Sequence, residues 1–85
     1  MRHARPDYNR IQDPEGKIPE DEPVFLLRGQ DVVAPGIVEA WAVAASKAGA
    51  SAEIVQSAYH QAGEMRKWQA MGLSKIPDAP QVQQK

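Results

Sequence analysis

The tripeptide Gly49-Ala50-Ser51 constrains this chain more than any other feature, because it separates two stretches of helical periodicity by a break short enough to force them antiparallel. Before it, Ile37, Trp41, Ala44, Ala45 and Ala48 recur at spacings of three and four, which places them on one helical face. After it, Val55, Ala58, Tyr59, Ala62, Met65 and Trp68 repeat the pattern up to Gly72. The spacing predicts helices over about 34–48 and 52–71. Pro35 suits a first helical turn, where no amide hydrogen is needed, and Asp31 or a neighbour is placed to cap it. Lys47 and Gly49 supply the charge and left-handed stop of the first helix, while Ser51 and Glu53 suit the start of the second. The alanines of the first helix permit a close neighbour. Gly63 costs about 1 kcal/mol relative to alanine in mid-helix, so it is expected either where backbones crowd or where the helix bends.

Four of the seven prolines, Pro6, Pro14, Pro19 and Pro23, fall before residue 24, which predicts an extended arm with turns over residues 1–23. Asp13-Pro14-Glu15-Gly16 has the preferences of a type I turn. Val24-Phe25-Leu26-Leu27 is the densest apolar run and reads as a short buried strand or extended segment over 24–28, with a helical turn as the alternative. Pairing with a strand of another subunit would satisfy its backbone. The expected fold is therefore mainly α: an antiparallel helical hairpin preceded by a Pro-rich extended arm and one strand-like segment. The core spans 24–72, and a mobile tail follows over 73–85. With 85 residues, five aromatic side chains and no cysteine, that core is modest, and a homo-oligomer is expected to supplement it. Trp41, Trp68, Phe25 and Tyr59 are the expected interface residues.

Hydrophobic residues at 42% and charged residues at 25% place the chain among folded domains. Ten Lys and Arg against eleven Asp and Glu give a formal charge of −1, which lacks the basic excess of a duplex nucleic-acid partner. The absence of cysteine excludes disulfides, a thiolate nucleophile and thiolate-bound zinc, and fits a reducing compartment. No apolar run approaches the roughly 20 residues of a membrane span, and polar sequence follows Met1-Arg2-His3-Ala4-Arg5-Pro6 where a signal peptide needs an apolar stretch. A cytoplasmic protein with no membrane partner is expected.

Candidate sites are few. Arg2, His3, Arg5, Tyr8 and Arg10 combine cations with an aromatic ring that suits phosphates and a base, although basic residues near a terminus are more often simply solvated and Tyr8 more often a lid on the core. Arg28-Gly29-Gln30-Asp31 joins the apolar run to a helix start, where free amides attract anions. Against that, Asp31 as a cap takes those amides, and Arg28 has Glu20, Asp21 or Glu22 as ion-pair partners. The run Glu20-Asp21-Glu22 lacks the spaced ligands of a calcium loop and reads as a solvated face. His60 and Glu64 stand one helical turn apart but have no obvious third metal ligand, since the other histidine is His3 on the arm. Arg66-Lys67 near a helix end suits an anionic partner or, more plainly, the helix dipole. Neither a Ser-His-Asp order nor an enclosed carboxylate pair is discernible, so no enzyme, no metal and no cofactor is expected.

Tyr8-Asn9-Arg10-Ile11-Gln12-Asp13-Pro14, followed by Ile18-Pro19-Glu20-Asp21-Glu22-Pro23-Val24-Phe25-Leu26-Leu27-Arg28-Gly29-Gln30-Asp31, resembles small accessory proteins of tailed bacteriophages and prophages. The hairpin from Trp41 to Trp68-Gln69 extends the likeness over roughly residues 8–69. The resemblance carries no catalytic residues. It implies the host cytosol and an anti-defence protein that blocks or redirects host functions by binding. The leading expectation is sequestration of a phosphorylated or cyclic nucleotide host signal, with Arg28, Tyr8, Arg10, Arg5 and Arg2 as ligand-binding residues. The alternatives are a module that occupies a host defence protein through the hairpin or acidic arm, and a virion assembly component. Exposure of Trp41 or Trp68 favours a protein partner, whereas burial of both beside converging arginines favours a small anion.

Overall fold

Helix α1 (Ala34–Lys47) and helix α2 (Ala52–Ala70) pack against each other as a hairpin. The computed structural model describes residues 13–78 and the backbone of Arg2–His3. It divides into two compact units, Met1–Leu26 with Asp78–Lys85, and Leu27–Pro77.

The link between the helices is set by local hydrogen bonding. The Ala50 amide donates to the Ala45 carbonyl at 2.9 Å and the Gly49 amide to the Ser46 carbonyl at 3.1 Å, the paired bonds of a Schellman stop. That closure needs a left-handed residue, and Gly49 supplies it at φ +96°. One residue after Ala50, the Ser51 hydroxyl accepts from the Ile54 amide at 3.4 Å and starts α2, with Glu53 in the first turn. The α1 start is less direct. Its N-cap is Val33, which offers no side-chain acceptor, while the Asp31 carboxylate accepts the Val33 amide at 2.9 Å one step earlier. Pro35 sits in the first turn and is buried.

The seam is made almost wholly of small side chains. Ala34, Pro35 and Ala42 of α1 and Ala62 and Met65 of α2 are its buried members, flanked by half-buried Val38, Ala45, Val55 and Ala58. On α1 this differs from the expected stripe. Ile37 and Trp41 are 54% and 51% exposed, and Ala44 and Ala48 are exposed as well. Because α1 is apolar on nearly every side, periodicity fits two adjacent stripes equally well. The smaller one wins because alanines let two helix backbones approach most closely. On α2, Tyr59 and Trp68 likewise lie outside the seam, 44% and 47% exposed.

Two further expectations change. A Cβ added to Gly63 would meet nothing within 4 Å, so backbone crowding does not explain that glycine. Nor does the chain run free directly after Gly72. Lys75 pairs with Asp31 in a parallel bridge, its amide donating to the Gln30 carbonyl at 2.6 Å and its carbonyl accepting from Val32 at 3.0 Å. The rest of the expected tail, residues 79–85, lies outside the described residues.

In the first unit, β1 (Arg2–His3) and β2 (Pro23–Val24) pair in parallel, Arg2 opposite Pro23 and His3 opposite Val24. The strand expected over 24–28 is thus confined to its first residue and the proline before it. Its partner is this same chain. Phe25 is 70% exposed, so the apolar run is not buried as a block. The turn at Asp13-Pro14-Glu15-Gly16 forms, with the Gly16 amide donating to the Asp13 carbonyl at 3.0 Å. The Asp13 carboxylate fixes its exit by accepting the Lys17 and Ile18 amides at 3.1 and 3.0 Å.

With open space at its Cβ and an ordinary helical backbone, Gly63→Ala is expected to stabilise the protein by about 0.5–1 kcal/mol. Urea unfolding followed by circular dichroism measures this, and a lower midpoint in the variant would show that Gly63 has a packing role.

Candidate binding clefts on one flank of the hairpin

Leaving the large side chains outside the seam creates two neighbouring clefts in the second unit, with Leu27 and Gln61 lining both. The first, of about 340 Å³, is formed by Leu27, Arg28, Gly29 and Gln30 against Gln61, Glu64, Met65 and Trp68 of α2. The second, of about 360 Å³, lies between the helices, with Ile37, Val38 and Trp41 on one side and Ile54, Ser57 and Ala58 on the other. The first is mixed in polarity. Among the described residues, the second is lined by none that is charged.

The first cleft depends on how the turn Arg28–Asp31 is held. Its own closing bond runs from the Asp31 amide to the Arg28 carbonyl at 3.0 Å. Gly29 then lies close enough to α2 that a Cβ there would touch Met65 and the Trp68 ring at 3.7–3.9 Å. Gln69 provides the tie. Its side-chain amide donates to the Gly29 carbonyl at 2.9 Å and the Asp31 carbonyl at 2.8 Å. Gln69 is not among the expected site residues, although its position is a signal. It extends the seam stripe Ala58, Ala62, Met65 by one step, and an amide on a packed stripe must find partners.

Charge around this cleft is partly neutralised. Lys67 donates to Glu64 at 3.1 Å, and this hydrogen bond and the ammonium charge hold the Glu64 carboxyl below the usual carboxylate range, with a smaller contribution from His60. Arg28 makes no ion pair among the described residues. On the other flank Arg66 pairs with Glu39 and ties the two helices together.

The expected site residues divide accordingly. Arg28 rims the first cleft. Arg5, Tyr8 and Arg10 lie outside the described residues, as does the side chain of Arg2. The α1 start offers little to an anion, since Asp31 already occupies the Val33 amide. Among the expected interface residues, Trp41 and Trp68 share the cleft flank. Tyr59 precedes Trp68 by nine residues, half a turn around the helix at about 100° each, and so faces the opposite flank. Phe25 belongs to the first unit. His60 and Glu64 gain no third partner: among the described residues no group of three His, Asp or Glu side chains is placed to hold a metal ion. No described helix is long and apolar enough to cross a membrane. No family model, curated protein or solved structure matches this chain.

Gln69→Ala is expected to cost about 1–2 kcal/mol by removing the side-chain donor of the Gly29 carbonyl and leaving the Asp31 carbonyl with the Ala34 amide alone, and to speed amide exchange at Val32 and Lys75. Gln69→Glu should not rescue it, because an ionised carboxylate cannot donate. Hydrogen exchange read by NMR decides the matter, and unchanged protection at both amides would show that the turn holds without this tie.

Proposed function

We propose that this chain is a non-catalytic accessory protein of the phage type that sequesters a phosphorylated or cyclic nucleotide in the cleft beside Arg28. The observation that carries the reading is that an Arg28 side chain with no ion pair among the described residues and a half-exposed Trp68 ring line the same open cleft. A guanidinium presents a planar fork of donors that matches a phosphate, and an indole presents a face on which any base can stack. The volume of about 340 Å³ falls within the usual range for small-molecule sites. Glu64 is the one acid among the described residues of the cleft, and its charge is already engaged by Lys67.

A second reading is supported by the exposure of both tryptophans, the outcome that the sequence criterion assigns to a protein partner. Trp41 and Trp68 are both about half exposed on one flank, which is how a protein-binding surface presents its anchors. In that reading the hairpin occupies the surface of a host defence protein and no small ligand exists.

Native mass spectrometry of the full chain with a cyclic dinucleotide, and separately with a nucleotide-rich extract, tests the first reading. The protein is expected to gain the ligand mass. Arg28→Glu should weaken that binding by at least about tenfold while leaving the far-ultraviolet dichroism unchanged. Binding retained in the variant would remove Arg28 from the site, and no gain of mass by the native chain would leave the protein-binding reading in its place.

A further inference from the structure

We propose that the uncharged groove between α1 and α2 is covered by a second copy of this chain, the two hairpins meeting across a two-fold axis with Trp41 of each seated against the other. The groove shares Leu27 and Gln61 with the nucleotide cleft, but the inference does not rest on the nucleotide reading.

Helix α1 is the first reason. Of its fourteen residues only Glu39, Ser46 and Lys47 are polar, and a helix apolar on nearly all sides belongs in an interior. Within one chain α2 covers only the alanine stripe. Ile37, Trp41 and Ile54 remain 54%, 51% and 46% exposed along the groove.

The area matches what a dimer needs. Those three side chains expose roughly 300 Å² of apolar surface, and Leu27, Val38 and Ala58 add to it. A specific interface at the small end buries roughly 600 Å² per partner, a little over half of it apolar. The groove and its rim therefore contribute to the apolar part of such an interface, with Ile37, Trp41 and Ile54 as its exposed large side chains.

The chemistry suits self-pairing. A two-fold contact sets the same patch against itself, so any charge in it would face its own like. Among the described residues this groove has none, and the two polar ones, Ser57 and Gln61, are neutral. Its volume of about 360 Å³ accepts an indole ring. A foreign partner fits less well, because the seam buries only alanines, one proline and one methionine. A core that small calls for a cover present whenever the protein is, and its own copies meet that condition.

Analytical ultracentrifugation of the full chain over a wide concentration range, without nucleotide, provides the test. The native chain is expected to sediment as a dimer or a multiple of it. Trp41→Glu and Ile54→Lys should each weaken association by at least about tenfold, whereas Tyr59→Glu on the opposite flank should not. Because the chain has no cysteine, single-cysteine variants give a reading that does not depend on tolerance of a charge. Under mild oxidation Ser57→Cys in the groove should cross-link and Ser46→Cys should not. A native chain that stays monomeric at all concentrations would overturn the proposal, as would an oligomer that persists in Trp41→Glu and fails to cross-link through Ser57→Cys.

Discussion

The close alanine seam between α1 and α2 is the contact on which the rest of the structure depends. Ala34, Ala42 and Ala62 are completely buried, and only Met65 adds a long side chain to them. Small residues bring the helices together but return little free energy, since a buried methyl contributes about 0.8 kcal/mol while fixing one residue's backbone costs about 1–2 kcal/mol. A hairpin built this way needs its ends specified and its large side chains used elsewhere. Both features are present. The large side chains become the walls of two clefts because the seam has no room for them.

The ends are secured mainly by the polypeptide itself. Gly49 closes α1, Ser51 opens α2, and Gly72 at φ +82° ends α2. Beyond these local devices, Gln69 and the Lys75 bridge bind the turn before α1 and the segment after α2 to the same place. One amide side chain and two backbone bonds thus join the beginning and the end of the second unit. Arg28 is positioned by this arrangement, since the turn it opens is the one that Gln69 holds.

The hairpin was legible in the sequence because its signals are local. Ser51 has a cap's chemistry wherever it starts a helix, and Gly49 carries the conformation a Schellman stop demands. The face of α1 was not legible. Ile37, Trp41 and Ala44 obey the same spacing as Val38, Ala42 and Ala45, and only the identity of the facing helix decides between them. The run Val24 to Leu27 misled for a related reason. Consecutive apolar residues suggest burial together, but the division between units falls after Leu26, with Phe25 exposed and Leu27 on the cleft. Gln69 and Lys75 escaped because their partners are about 40 residues away along the chain, where no pattern connects them.

Under the two proposals, sharing Leu27 and Gln61 between the two clefts would couple assembly to ligand binding. A second copy resting on the groove would fix Leu27 and Gln61, which also wall the nucleotide cleft, and a ligand would then meet a more ordered cleft in a dimer than in a monomer. Ordering that has already been supplied is not charged again to the ligand, which gives positive coupling without any rearrangement of the fold. Linkage then runs in both directions: by whatever factor the dimer tightens ligand binding, the ligand tightens the dimer. A sequestering protein with that property binds weakly while scarce and more tightly as it accumulates, because concentration drives the assembly that prepares the cleft.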